Sequence, residues 1–420
     1  MDKNYWTLDR LGRLYKDWDP QVLTDLSAQV AKSKWRPGYH ITTKTGLLND
    51  PNGFSYFNGQ WHLFNQAFPY GAVHGLKSWQ HNVSDDLIHW RVVDKPMVPD
   101  IYSDRNGCYS GSAINVDDKL FIMYTGNTFE GSEFTRHPYQ DGAWMDADNN
   151  IEKLAEPLIA DSPSGVTGHF RDPQIIKHDD YYYAFIGAQT VDNTGEILTY
   201  RSRQVDSGWE LYKKLDLGTD NLGYMAECPN VGFVDGKVVV IFCPQGADKA
   251  AFHYDNVHPN AYIIADELDF SAMKLVNPSP MQQLDEGFDY YATQLLNAPD
   301  GRLLSVNWIG LPDTEYLSDQ DGWEGELSMV RELHISNGSL VQSPVNELET
   351  IIDDTPATAN DLQRLITAAP LASQFSLHLD STDSYLHLAY DESDRQWTLV
   401  RKNVGEEAVT RSFQGDPSSL

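Results

Sequence analysis

Five times between residues 53 and 306 the chain runs an apolar segment into a tight polar turn and out through a second apolar segment. The segments are residues 53–64, 113–124, 174–185, 231–242 and 294–306, with turns at Asn58-Gly59, Asp117-Asp118, Asp179-Asp180, Asp235-Gly236 and Asp300-Gly301. Each is a hairpin signature. From one turn to the next the spacing is 59, 62, 56 and 65 residues, longer than the roughly 40–50 residues of familiar propeller repeats. The expectation is an all-β chain: a five-bladed β-propeller in which each blade carries an extended loop. A sandwich would space its strands more closely and less regularly.

The flanks differ. Residues 1–35 place Leu8, Leu11, Leu14, Tyr15, Val22, Leu23, Leu26 and Val30 at helical spacing, and Asp19-Pro20 suits a helix start. One or two short helices packed outside the propeller, itself spanning 36–350, are expected. Beyond it, residues 353–361 form a polar linker, and 375–380, 385–390 and 396–401 alternate with period two. These predict a second all-β module over 351–420, a partial β-sandwich with too few strands to close by itself.

A net charge of −30 argues against nucleic acid and anionic membrane as partners, since both need a basic face. It also obliges any phosphorylated substrate to find a local basic pocket. The N-terminus has no apolar signal core, and no apolar run is long enough to cross a bilayer. Three cysteines (Cys108, Cys228, Cys243) are too few for a disulfide scaffold. A cytoplasmic protein is expected. The 22 Tyr and 11 Trp suit strands and also sugar-stacking faces.

What precedes each hairpin carries the chemistry. The groups are Asn49-Asp50-Pro51, Ser110-Gly111-Ser112, Arg171-Asp172-Pro173, Glu227-Cys228-Pro229 and Tyr291-Ala292-Thr293. If each first strand is the innermost of its blade, all five groups open on one end of the central channel. Three supply a carboxylate, at what reads as one equivalent position. Pro51 biases Asp50 towards an extended backbone and so fixes its direction.

Asn49-Asp50-Pro51-Asn52-Gly53, the 107–113 segment Gly-Cys-Tyr-Ser-Gly-Ser-Ala, Phe170-Arg171-Asp172-Pro173 and Glu227-Cys228-Pro229 together resemble the invertase and β-fructofuranosidase group of glycoside hydrolases. The resemblance runs from about residue 39 to 333. In its short N-terminal segment the chain looks most like the intracellular bacterial sucrose-6-phosphate hydrolases. It implies a five-bladed propeller followed by a β-sandwich, and a fructosyl sugar (sucrose or sucrose 6-phosphate) as small-molecule partner, with no cofactor and no metal. It assigns Asp50 as nucleophile, Glu227 as general acid and base, and Asp172 as the third carboxylate, on the fructosyl hydroxyls. Asn49, Gln66, Trp79, Ser112, Arg171 and Trp308 carry over as sugar-binding residues.

Splitting a glycosidic bond with two carboxyl groups needs one ionised and one protonated, about 5–5.5 Å apart when configuration is retained. Mutual repulsion among three carboxylates is expected to keep Glu227 protonated near neutral pH, with Arg171 offsetting part of it. Ser78-Trp79-Gln80-His81 replaces the usual His-Trp-Gly-His, Ala226 stands where tryptophan is common, and Val330 where proline is common. The first two bear on substrate preference. Candidate phosphate-binding cations are Lys44, Lys77, Arg105, Arg136 and His137. His62, His74, His81 and His89 show no metal-ligand spacing. A fructan exo-hydrolase or a fructosyltransferase are the rivals among enzymes; a carbohydrate-binding propeller without turnover would have lost a carboxylate.

Overall fold

The computed structural model describes residues 5–130, 135–352 and 374–415. All five hairpins form, and each is extended outward into a four-stranded antiparallel blade. Blade I comprises Gly46–Phe57, Gln60–Phe68, Ser78–Ser84 and Trp90–Met97, and blade II Cys108–Val116, Lys119–Glu130, Thr135–Met145 and Ile151–Lys153. Blade III comprises Val166–His178, Tyr181–Thr190, Gly195–Ser202 and Glu210–Lys214, and blade IV Met225–Val234, Lys237–Gln245, Ala261–Ala265 and Gln282–Gln283. Blade V is built from Tyr291–Asn297, Leu303–Ile309, Arg331–Ser336 and Ser339–Pro344. In four hairpins the first turn residue is left-handed (Asn58, Asp117, Asp179 and Asp235, φ 49–52°). Asn and Asp are the side chains that tolerate that conformation.

The core is five separate layers, one between each pair of neighbouring blades. Second strands feed two layers at once. Leu120, Ile122 and Tyr124 face blade I, whereas Phe121 and Met123 face blade III. Val238, Val240 and Phe242 face blade III, whereas Val239 and Ile241 face blade V. Burial on both faces explains why these strands read as unbroken apolar runs.

The ring closes at the seam between blades V and I. A short strand, Trp323–Glu324, pairs in parallel with Gly46 and Leu47 at the start of blade I. Nearby, the Leu327 amide donates to the Ile41 carbonyl at 2.9 Å. Over this seam lies the N-terminal segment, with helices Leu8–Leu11 and Pro20–Val30, the latter capped by Asp19 on the Gln21 amide. Its Trp18 is buried with Leu47, Phe68, Tyr70, Val73 and Leu76 of blade I, and Leu11, Leu14, Tyr15, Val22 and Leu23, from the residues read at helical spacing, pack against the same cluster.

Strands Gln374–Asp380, Tyr385–Asp391, Gln396–Lys402 and Val409–Gln414 make one antiparallel sheet in chain order. It abuts the propeller through Phe288, whose ring lies 4.3 Å from the Arg401 guanidinium and 4.9 Å from that of Arg411. The linker expected over 353–361 lies outside the described residues. No helix among the described residues is long and apolar enough to cross a membrane.

Candidate active site

Each innermost strand carries a β-bulge near its start, two of its residues facing one of its partner's. The flanking pairs are 48–67 and 51–65, 108–126 and 111–124, 171–187 and 174–185, 227–243 and 230–241, and 291–308 and 294–306. Bulges bend a strand and re-aim its side chains, which is why they gather at sites. Three bulge residues, Asp172 (φ 65°), Cys228 (48°) and Ala292 (53°), are left-handed without being glycine. Such backbone costs about 1–3 kcal/mol per residue and persists only where its surroundings impose it.

Just past the bulge every blade presents one buried polar side chain: Asn52, Ser112, Gln174, Asn230 and Gln294. Four of them tie their strand to the next blade's. Asn52 Oδ1 accepts from the Gly111 amide (2.8 Å), and Ser112 Oγ donates to the Pro173 carbonyl (3.0 Å) and accepts from the Ile175 amide (2.8 Å). Gln174 exchanges both bonds with Val231 (2.7 and 3.0 Å), and Asn230 bonds the Leu295 amide (3.0 Å) and Thr293 carbonyl (2.9 Å). Gln294 Nε2 donates back to Asn230 at 3.3 Å. This belt floors the channel. The cavity it lines is about 10 Å³, room for at most about one water.

Counting back from the belt defines two tiers above it. Two residues earlier stand Asp50, Ser110, Asp172, Cys228 and Ala292; three residues earlier stand Asn49, Tyr109, Arg171, Glu227 and Tyr291. The carboxylates therefore do not share one equivalent position, contrary to the sequence expectation: Asp50 and Asp172 do, and Glu227 sits one residue further out. Its side chain is correspondingly more open, 15% exposed against 5% for Asp172.

Asp50 is held by neutral donors. Asn49 Nδ2 reaches its Oδ1 at 3.0 Å and Ser110 Oγ its Oδ2 at 2.6 Å. Burial still pushes its carboxyl above the ordinary value, with Glu227 adding to the rise, while Ser110, Asn49 and Lys77 oppose it. Glu227 meets a cation instead. Arg171 Nε donates to its Oε1 at 3.0 Å and a second guanidinium nitrogen reaches the same oxygen, while Gln245 Nε2 (2.8 Å) and Tyr291 OH (2.6 Å) reach Oε2. Burial acts to raise Glu227, but Arg171 and the Tyr291 hydrogen bond override it and leave the carboxyl below its ordinary value. The expectation that repulsion holds the proton on Glu227 is thus corrected, because Arg171 reaches across the blade boundary to it. Asp172 carries the opposite shift. Burial, with Glu227 and Asp50 beside it, lifts it to about 7 against the pull of Arg171. The left-handed turn at Cys228 aims that residue's amide at Asp172 Oδ2 (3.1 Å), and the thiol lies 3.7 Å from Asp172 and 3.9 Å from Asp50. Burial keeps that thiol protonated.

Asn49, Gln66 and Arg171 thus lie at the carboxylates, together with Ser110 and Tyr291, which the sequence reading missed although both occupy the two tiers. Ser112 does not face them, because both of its hydrogen-bonding roles serve the belt. Trp79 is fully buried in the layer between blades I and II, its indole N–H on the Tyr109 carbonyl at 3.0 Å. Trp308, 1% exposed, meets the Tyr291 and His74 rings edge-on at 6.4 and 6.2 Å. Of the expected cations, Arg105 lies near Glu130 and His137 near Asp161 (3.9 and 3.6 Å). Lys77 is buried beneath Asn49. Arg136 lies by the pit, its guanidinium 5.5 Å from the Tyr109 ring. Among the described residues the group with metal-ligand geometry is His378, Asp380 and His387, far along the chain on the C-terminal sheet.

Comparison with known proteins agrees with this architecture. Residues 40–344 match the glycosyl hydrolases family 32 N-terminal domain. The chain is 46% identical to the sucrose-6-phosphate hydrolase of Pediococcus pentosaceus, over 96% of this chain and 80% of that protein, and 41% identical to that of Streptococcus mutans, over 94% and 84%. The solved sucrose-6-phosphate hydrolase of Lactobacillus gasseri superposes with a TM-score of 0.87 at 40% identity, covering 98% of this chain and 88% of that one. A β-fructofuranosidase of Bombyx mori superposes at 0.79 with 27% identity, covering 95% and 87%. With its propeller, its three-carboxylate pit and this likeness along nearly its whole length, the chain belongs to family 32 of the glycosyl hydrolases.

Proposed function

We propose that the protein hydrolyses sucrose 6-phosphate, and sucrose more slowly, with retention at the fructosyl carbon. The observation that carries the reading is the contrast between two carboxylates in one closed-bottomed pit, Asp50 among neutral donors and Glu227 on a guanidinium. It is joined to the names of the relatives, which are sucrose-6-phosphate hydrolases at 46% and 41% identity. An Asp50 oxygen attacks C2 of the fructosyl unit. The bond from C2 to the leaving oxygen breaks, its electron pair stays on that oxygen, and Glu227 supplies the proton. Water then attacks C2 as Glu227 takes its proton back, and Asp50 departs as carboxylate. Asp172 and Glu227 influence each other's ionisation, so the proton that favours Asp172 has to stand on Glu227 when the leaving oxygen arrives. Asp172 holds fructosyl hydroxyls, and Asn49, Gln66 and Arg171 complete the sugar's polar surroundings.

For the phosphate the site offers Arg136, beside Tyr109 and close enough to depress His169 to about 4 after burial and Arg171 have acted. A chain of charge −30 repels such a substrate at long range, within a screening length of about 8–10 Å. A cytoplasmic location suits a sugar phosphate. The test is kcat/KM for sucrose 6-phosphate and sucrose at low and high salt. The phosphorylated sugar is expected to be preferred at low salt, the preference shrinking as salt rises. No preference at low salt would leave a plain invertase; a larger kcat/KM on short fructans would favour an exo-hydrolase.

A further inference from the structure

Lys77 is 5% exposed, and its ammonium nitrogen is 2.7 Å from Asn49 Oδ1 and 3.0 Å from His74 Nδ1. Buried and committed to Asn49 and His74, this lysine presents no exposed charge to a phosphate. Its chemistry is informative because an ammonium only donates. An asparagine amide can ordinarily be turned either way round, but here the oxygen must face Lys77.

The rest of a ring follows from that orientation. With Oδ1 taken, Asn49 Nδ2 sends its hydrogens to Asp50 Oδ1 (3.0 Å) and to Gln66 Oε1 (2.9 Å). Gln66, accepting on its oxygen, donates from Nε2 to Ser110 Oγ at 2.6 Å. Ser110, accepting on its oxygen, donates its only proton to Asp50 Oδ2 at 2.6 Å. Both carboxylate oxygens thereby receive a donor. Reversing the Asn49 amide would point an oxygen at Asp50 and a donor at the ammonium.

We propose that Lys77 is a positioning residue for the reaction: a donor-only cation that sets the direction of every hydrogen bond in the ring Asn49–Gln66–Ser110 and so keeps two donors on Asp50. The groups that face it are Asp50 from blade I, Glu324 from the seam strand and His74 from its own loop. Burial lowers Lys77 to about 7, with Asp50 and Glu324 opposing the fall, so the donor-only ammonium prevails below about that pH. Lys77 and burial together hold His74 near 3, so His74 is a neutral acceptor.

The inference rests on Asp50 as nucleophile, and the experiment separates the two. In Lys77→Met the Asp50 carboxylate loses its ordered donors and a nearby cation, so it ionises at higher pH. The acid limb of kcat/KM is expected to move up by about one unit. kcat should fall roughly 10–100-fold, the scale for groups acting through a neighbour of the reacting atoms, with KM changing less. The loss should narrow as pH rises. Lys77→Met/Glu324→Gln, which also neutralises the opposing carboxylate, is measured beside it in case the single variant folds poorly. A wild-type bell-shaped profile on sucrose supports the nucleophile reading whatever the variants do. An acid limb unmoved in a folded variant overturns the positioning role. Failure of both variants to fold would overturn it too, by assigning Lys77 to the fold.

Discussion

The tiers of the pit and the belt beneath them are built from the same five strands, two or three residues apart, and both are rich in polar side chains. Their duties are opposite. In the belt, Ser112, Gln174 and Asn230 spend their hydrogen bonds on the backbone of the next blade, so each polar group finds a partner fixed by the fold. In the pit, Asp50, Asp172 and Glu227 face one another, and burial lifts two of them while Arg171 holds the third down. Satisfied polar groups hold a structure together; crowded like charges cost stability and are kept for chemistry. The difference teaches that proximity in sequence says little about duty on a bulged strand, where two residues separate a side chain on the floor from one on the wall.

Substitutions can break that contrast. The largest effect is expected for Asp50→Asn and Glu227→Gln, each lowering kcat by roughly 10³–10⁵-fold, the scale for a member of a catalytic unit. Asp50→Asn should not reduce stability, because burial already disfavours the Asp50 charge, whereas Glu227→Gln takes the partner carboxylate from the buried Arg171 guanidinium and should lower stability while leaving the protein folded. A leaving group that needs no proton should restore its first-step release in Glu227→Gln, seen as a burst before slow turnover, and restore nothing in Asp50→Asn. Near-wild-type turnover in either pure variant would remove that residue from the mechanism. The belt should behave in reverse. Asn230→Ala strands the Leu295 amide and the Thr293 carbonyl, a loss of about 2–6 kcal/mol at roughly 1–3 per buried unpaired group, read from a denaturant midpoint. Below its transition it should turn over within roughly tenfold of wild type. Unchanged stability with abolished activity would place Asn230 in the chemistry and dissolve the distinction.

Much of this was legible in the chain, for identifiable reasons. The hairpins declared themselves because Asn or Asp is needed at each left-handed turn and because second strands are apolar on both faces. The carboxylates stood out through their prolines. Ser112 was carried over by the resemblance, and the grouping Ser110-Gly111-Ser112 did not warn against it, because blade II carries six pairs between turn and bulge where blades III and IV carry five. A grouping anchored on Ser-Gly-Ser therefore slid one residue into the belt. Tyr291 was recoverable from the same register, three residues before Gln294. Lys77 was not. A lysine in a loop reads as surface, and its burial depends on a seam strand that arrives near residue 323, far along the chain. The Arg171–Glu227 contact likewise spans 56 residues and a blade boundary, which no local pattern records.

The central claim, that Asp50 forms the covalent bond while Glu227 handles the proton, is tested most directly by trapping. Glu227→Gln is mixed with a fructoside bearing a leaving group that needs no proton, quenched, digested and examined by mass spectrometry. A hexosyl addition on the peptide containing Asp50 is the predicted result. Its appearance on Asp172 instead, or product of inverted configuration with no adduct, would contradict the account.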